Sequence, residues 1–334
     1  MAPTISTHIK CIGIVLLMVI STPVSLEEYP LVSVICLCYN HQDFVIQSIQ
    51  SVLDQDYPNI EIIIVDDAST DGSKEAIERF LTDKPDITFI PLIENLGNCA
   101  AFNIGYRKSK GQYIIDLATD DKLINSRVTK QVEAFESLDA TYGVVYSDAQ
   151  IIDAAGSPLY RHTSRFPVFQ DDVYEYLIST YFVSPPTMMV KREVFDLLDG
   201  YDERLAYEDF DFWIRSSRYF KYHFLNEMLT EVRRVKGSKS ANYDDRQKAY
   251  TLSTVRICEK IKEQNKTASE NRALSERLRY ELKHAAVRGL RDESQQFFTL
   301  LSRLNSTTFR DRFLLRLSKV RLNLWPLIRR MRSH

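Results

Sequence analysis

A chain of 334 residues exceeds the roughly 150 of a typical domain, so one large domain with an appendage, or two domains, is expected. Its 44% hydrophobic and 26% charged residues are an ordinary globular composition, which excludes a disordered, collagen-like or disulfide-scaffold chain. Lys+Arg at 43 against Asp+Glu at 45 leaves a net charge of −2, so no global basic field argues for nucleic acid, and five cysteines without a Cys-x-x-Cys suit a reducing, cytoplasmic compartment.

Residues 1–29 carry one apolar run, Cys11 to Ile20, preceded by Lys10. It is shorter than the roughly 20 residues a membrane span needs. It is read as a leader or upstream extension, with a secretory signal peptide as the other reading. From residue 30 strand and helix alternate. Val32 to Cys36 is a β-rich, mostly apolar run, as for a strand covered on both faces. Val45, Ile46, Ile49, Val52 and Leu53 recur at helical spacing. Ile60 to Val65 is a second buried strand, closed by Asp66-Asp67, and a helix follows through Ile77 and Phe80. Ile87 to Ile90, Tyr113 to Leu117 and Gly143 to Ser147 are further strands, with helices at Asn98 to Ser109 and Arg127 to Leu138 between them. This rhythm predicts an α/β domain with a mostly parallel sheet over residues 30–240. Beyond Asp153 the rhythm breaks, with Arg192 to Leu198 and Asp209 to Tyr219 as helices. Residues 241–334 read as a helical region without strand runs.

The last part of that region, Arg310 to Arg332, sets eight basic residues against Asp311 and interleaves them with Phe313, Leu314, Trp325 and other apolar residues. Two readings stand: an interfacial helix on an anionic membrane surface, or a helix packed on the main domain with its charges solvated.

In open α/β sheets ligands bind beyond the carboxyl ends of the strands. Tyr39-Asn40 follows the first strand, Asp66-Asp67 closes the second and Asp120-Asp121 closes the fourth. Either acidic pair alone could cap a helix. Two pairs after two buried strands point to a site, and close carboxylates call for a cation, a proton or hydrogen-bonding partners. A hard divalent cation bridging carboxylate and phosphate oxygens is the natural occupant. Neither a Gly-x-x-x-x-Gly-Lys-Ser/Thr loop nor a Gly-x-Gly-x-x-Gly loop is present, so an anion would not be held by a glycine cradle.

Val32 to Asn40, Ile62 to Ser73 (Ile-Ile-Ile-Val-Asp-Asp-Ala-Ser-Thr-Asp-Gly-Ser) and Ala118-Thr119-Asp120-Asp121 together resemble the family 2 glycosyltransferases of the GT-A fold. Asn95-Leu96-Gly97 and Asn103-Ile104-Gly105 match the family's paired Asn-x-Gly stretch, and the resemblance runs from about Leu31 to Ser240. It implies an inverting transfer of a sugar, of the hexosyl or hexosaminyl class, from a nucleotide-diphosphate donor to a hydroxyl acceptor, saccharide or lipid-linked. Cell-surface polysaccharide or glycolipid synthesis is the expected setting. By the same resemblance, Tyr39 and Asn40 lie by the nucleotide base and Asp67 accepts from a base N–H. Asp120 holds ribose or metal, and Asp121 holds Mg²⁺ or Mn²⁺ on the diphosphate. Ala118 and Phe102 stand where many relatives have Asp and Arg.

Glu208-Asp209, opening a helix, resembles the family's Glu-Asp segment and makes Asp209 the general base. The alternative for Asp209 is a helix-terminal charge favoured by the dipole. Glu208 and Asp211 are read as orienting or surface residues. Arg233 and Arg234 either approach the diphosphate or belong to a basic surface loop. His41, His162 and His223 have no metal-ligand spacing and read as structural or surface residues. Two rival functions remain: a non-catalytic nucleotide-sugar-binding protein on this fold, and a nucleotidyltransferase, which would want a Gly- and Arg/Lys-bearing loop where Leu37 to His41 stands.

Overall fold

The computed structural model describes residues 29–235, 243–320 and 323–325. The N-terminal run, the Lys236–Ser240 stretch and most of the basic tail beyond Val320 lie outside the described residues.

A mixed sheet forms the centre. In chain order its strands are β1 (Val32–Cys38), β2 (Ile60–Asp66), β3 (Thr88–Pro91), β4 (Tyr113–Ala118), β5 (Lys122–Leu123), β6 (Tyr142–Asp153), β7 (Pro158–Arg161), β8 (Met189–Lys191) and β9 (Lys221–Arg234). The order across the sheet is β3-β2-β1-β4-β8-β6-β9-β5, with β7 on β6. The expected parallel half is β3-β2-β1-β4. Past β4 the sheet turns mixed: β8 is antiparallel to both β4 and β6, while β6 and β9 run parallel.

All seven residues of β1 are buried, and its alternation divides them between two cores. Val34, Cys36 and Cys38 join Ile62 and Ile64 of β2 on one face. There α1 (Val45–Leu53), α2 (Ser73–Phe80) and α4 (Arg127–Ser137) cover them with Val45, Ile49, Ile77, Val128 and Val132. Ile35, Leu37, Ile63 and Val65 face the other way. On that side lie α3 (Asn98–Lys108), α5 (Tyr174–Ser179), α6 (Arg192–Leu198) and α7 (Asp209–Ser216). The connections from β1 and β2 thus pass on one face and the connection through α3 on the other. That places a topological switch point between the adjacent strands β1 and β4, where a crevice opens at their carboxyl ends.

The helical region comprises α8 (Tyr243–Gln264), α9 (Ala268–Val287), α10 (Arg291–Arg303) and α11 (Phe309–Ser318). Its side chains Ile257, Ile261, Leu274, Leu278, Leu282 and Phe297 belong to the same core as Ile35 and Leu37, so no gap in packing separates it from the sheet. α11 packs on α9 and α10. Trp325 lies under the Arg288 guanidinium (4.1 Å) and beside the His284 ring (5.7 Å). Among the described residues no helix is long and apolar enough to cross a membrane.

Candidate active site at the β1–β4 switch point

The loops after β1 and β2 lock together. Asn40 adopts φ 59°, a left-handed conformation that Asn tolerates better than most residues. Its Oδ1 accepts from Thr70 N–H (2.7 Å), and its own N–H donates to Ser69 Oγ (2.9 Å). Asp66, 1% exposed, accepts from Ser69 N–H and Oγ–H. Asn40 and Asp66 therefore tie the loops after β1 and β2 together.

Asp67 is different. Its Oδ1 accepts from Leu96 N–H (2.7 Å) and its Oδ2 from Gly97 N–H (3.0 Å), while Asn95 Nδ2 donates to its carbonyl (3.0 Å). The first Asn-x-Gly stretch thus presents two amides to one carboxylate. Gly97 reaches this position at φ 87°, where a side chain would be strained. In the second stretch, Asn103 Oδ1 accepts from Tyr201 N–H and its Nδ2 donates to Tyr201 O and Glu203 Oε1, all at 2.9 Å. Gly105 lets α3 approach β1 closely, since a Cβ there would meet Ile35 Cγ2 at 2.7 Å. Phe102 packs against Tyr201 (centroids 4.3 Å) and Phe195 (5.0 Å), so an apolar contact stands where relatives have an arginine.

A cavity of about 230 Å³ opens here, lined by Tyr39, Asp67, Asn95, Leu96, Gly97, Asn98, Cys99, Glu203, Leu205 and Ala206. Of the residues singled out in the sequence it contains Tyr39 and Asp67; Asn40, Asp120, Asp121 and Asp209 lie outside its lining. Sites for whole small-molecule ligands usually run from about 300 Å³ upward, so this one has room for part of such a ligand. On its far wall Glu203 belongs to the Gly200 to Glu203 stretch that the family resemblance also covers, while Leu205 and Ala206 carried no signal in the sequence. That loop is pinned by α8: Ser253 Oγ accepts from Ala206 N–H (2.9 Å), Arg256 donates to Arg204 O (2.7 Å), and Lys260 pairs with Asp202 (2.8 Å) and Asp211 (2.5 Å).

At the end of β4 the second acidic pair splits. Asp120 Oδ2 lies 4.0 Å from His41 Nε2, and His41 Nδ1 is 2.9 Å from Thr119 Oγ1, whose hydroxyl donates to Leu37 O. His41, read from sequence as a structural or surface residue, is therefore a neighbour of the acidic pair. Asp121 is 5% exposed and its Oδ1 accepts from Arg233 N–H (2.8 Å). Burial first, and then the charge of Asp120, push its carboxyl well above the usual range, against the pull of the Arg233 N–H and of Arg234 and Arg233. A divalent cation held at this strand end would relieve that repulsion, and the oxygens of Asp120 and Asp121 are the donors a hard ion takes. Among the described residues no cluster of three or more metal-ligating side chains exists, so most ligands would have to come from elsewhere.

Arg233 is not in a surface loop. It lies in β9, 6% exposed, and its guanidinium donates to Asp120 O (3.0 Å), Ala154 O (3.1 Å) and Gln47 Oε1 (2.9 Å) and covers the Phe44 ring (4.7 Å). These bonds commit most of its donors to holding the β4 end in place. Arg234 is exposed.

Asp209 is the first residue of α7, with its Oδ1 accepting from Phe210 N–H (2.7 Å). Burial, followed by the charge of Glu208, pushes its carboxyl up to about 7, against the pull of the Phe210 and Asp209 N–H groups and, last, of Arg277 in α9. A carboxyl poised near neutrality suits general-base work. Asp211 is no surface residue: it is 1% exposed and paired to Arg215 (2.6 Å) and Lys260.

Comparison with known proteins gives concordant results. The family model "Glycosyl transferase family 2" matches residues 33–198. TuaG of Bacillus subtilis (strain 168), a glycosyltransferase whose name assigns it to teichuronic acid biosynthesis, is 30% identical over 216 residues, 64% of this chain and 82% of TuaG. Among solved structures, S. aureus TarS 1-349 in complex with UDP-GlcNAc superposes with a TM-score of 0.64 at 18% identity, covering 88% of each chain. The mannosyltransferase PcManGT from Pyrobaculum calidifontis, in complex with GDP-Man and Mn²⁺, gives 0.52 at 19% identity over 89% of this chain and 88% of its own. At these identities the two structures bear on the fold.

Proposed function

The chain belongs to glycosyl transferase family 2, and from that premise we propose how its residues divide the work of moving a sugar from a nucleotide-diphosphate donor to a hydroxyl acceptor with inversion. The observation that carries the reading is the cavity shared by Tyr39 and Asp67. Each oxygen of Asp67 accepts from a backbone amide, so the carboxylate is held in place at the cavity before the donor arrives. The Tyr39 ring forms the wall beside the base. The diphosphate lies toward the end of β4, where Asp120 faces the ribose or metal and Asp121 the metal. A bound Mg²⁺ or Mn²⁺ supplies Lewis-acid stabilisation of the leaving diphosphate. Asp209 accepts the proton of the acceptor hydroxyl, and burial and the neighbouring Glu208 set its readiness to do so. The acceptor is a saccharide or lipid-linked glycan of a cell-surface polysaccharide, by likeness to TuaG.

The test is nucleotide release from UDP-, GDP- and dTDP-sugars with and without Mn²⁺, together with UDP binding measured directly. The expected result is metal-dependent release from one donor class. Because the described residues present so few ligands, Mn²⁺ should bind at least about tenfold more tightly with UDP present than alone, a coupling of the usual size between two ligands of one site. Absence of both nucleotide binding and release would overturn the reading. Binding without turnover, across a panel of glycan acceptors, would favour the non-catalytic alternative.

We place the enzyme at the cytoplasmic membrane surface through α11. Phe309 is 82% exposed and Phe313 58%, among Arg310, Arg312, Arg316 and Lys319, whereas the one acid, Asp311, is buried in a capping box with Thr308. Exposed aromatics between cations suit an anionic interface. Sedimentation with phosphatidylserine vesicles, and not with phosphatidylcholine vesicles, is expected, and the double substitution Phe309→Ser/Phe313→Ser should weaken it severalfold. Equal sedimentation of wild type and variant would remove α11 from the membrane contact.

A further inference from the structure

Glu203, Leu205 and Ala206 stand in the wall of the cavity, and the chain runs on from Ala206 through Tyr207 and Glu208 into Asp209. The stretch from Tyr201 to Glu208 is neither helix nor strand, so no ladder of backbone bonds fixes its position. Ties from two helices do so instead. From α3, Asn103 bonds Tyr201 and Glu203, and the Cys99 thiol faces Leu205 O at 3.6 Å. From α8, Lys260 holds Asp202, Arg256 donates to Arg204 O, and Ser253 accepts from Ala206 N–H. Ser253, Arg256 and Lys260 are three and four residues apart, hence on one face of α8. That helix lies beyond residues 33–198, the segment the family model matches.

Lys260 has a second partner. Its ammonium reaches Asp202 Oδ2 (2.8 Å) and Asp211 Oδ1 (2.5 Å) at once. Asp211 lies in α7, two residues past Asp209, and also pairs with Arg215, which donates to Leu198 O (2.8 Å) and Gly200 O (2.9 Å). One cation thus joins α8, the helix that begins at Asp209 and the loop that walls the cavity. Without it, two carboxylates that meet at a single ammonium would repel each other. The loop side would give way, because Asp211 is 1% exposed within a helix while Asp202 stands on irregular chain.

We propose that Lys260 is a positioning residue for the donor site: by bridging Asp202 and Asp211 it seats the wall that contains Glu203, Leu205 and Ala206 against α7, so that α8 backs the cavity and sets the affinity for the donor. The inference rests on the reading of that cavity as the place of the nucleotide.

The experiment is calorimetric titration with UDP, GDP and dTDP, together with kcat and donor KM from nucleotide release, in the full-length protein. Lys260→Met should bind the nucleotide that wild type prefers about tenfold more weakly, the size of one charged hydrogen bond. Its donor KM should rise to match while kcat at saturating donor stays within about threefold, as for lost ground-state binding. Asp202→Asn breaks the same tie from the other end and should weaken binding about threefold or more. The double variant Lys260→Met/Asp202→Asn should bind more tightly than Lys260→Met, because the repulsion is gone; two separate loosenings of the fold would add instead. Leu301→Ala, a void in the buried face of α10, should lower the melting temperature and leave nucleotide affinity as in wild type. Unchanged affinity in folded Lys260→Met, or an equal loss in Leu301→Ala, would overturn the proposal. If Lys260→Met does not fold, Asp202→Asn decides, and unchanged affinity there overturns it. A wild type that binds none of the three nucleotides ends the donor reading and this inference with it. If wild type binds one and Asp67→Asn weakens it while Lys260→Met and Asp202→Asn do not, only the role of Lys260 fails.

Discussion

Replacing Asp209 with Asn lowers kcat by about 10²-fold or more and leaves UDP affinity within about twofold of wild type, the pattern expected when a general base is removed and ground-state binding is kept. Asn preserves the size of the side chain and the bond from Phe210 N–H to Oδ1, so α7 starts as before. What is lost is the only feature the reaction needs, an oxygen able to take a proton. In the wild type, burial and the charge of Glu208 push the Asp209 carboxyl up to about 7. The base works when ionised, so wild-type kcat/KM should rise tenfold per unit below that pH and level off above it. Steady-state transfer between pH 5.5 and 9, with calorimetric UDP binding on the same preparation, checks both statements. An Asp209→Asn enzyme at wild-type rate would leave Asp209 as no more than a helix-terminal charge.

The second large effect is expected at Asp67, and on binding instead of chemistry. Its carboxylate receives Leu96 N–H on one oxygen and Gly97 N–H on the other. In Asp67→Asn one of these amides meets an NH₂ group, donor against donor, and the base N–H loses its charged acceptor. Hydrogen bonds to charged groups contribute about 1.5–3 kcal/mol each, so UDP should bind about 10- to 100-fold more weakly while saturating donor restores most of kcat. A calorimetric titration reads this directly. Unchanged UDP affinity in a folded Asp67→Asn protein would take Asp67 out of the donor site.

Much of this arrangement is legible without coordinates. β1, β2 and β4 stand out because strands covered on both faces are continuous apolar runs, and their ends are marked by abrupt changes to Tyr-Asn or Asp-Asp. β9 is not legible in the same way. Lys221–Arg234 includes an exposed Asn-Glu-Met stretch in its middle, so neither alternation nor an apolar run marks it. Its strand state comes from pairing in parallel with β6, a partner some 80 residues away. That pairing turns Arg233 from a loop cation into a buried tie among Asp120, Ala154 and Gln47. His41 was hidden for a similar reason: it meets Thr119, 78 positions on, only because β1 and β4 lie side by side.

The sequence by itself determined the α/β class, the family and which acids stand at strand ends, because these depend on local patterns of burial and on short motifs. The tertiary structure decided which of those acids share a space. Asp66 and Asp67 are adjacent in the chain, yet one holds a loop and the other lines the cavity. Asp120 and Asp121 part in the same way, one toward His41 and the other into the β9 backbone. The far wall of the cavity is completed by Leu205 and Ala206, which no local pattern connects to the acidic motifs. The reason is physical: a side chain's direction follows from its own backbone, but its partners are set by strand order, helix packing and the long-range contacts that close the core.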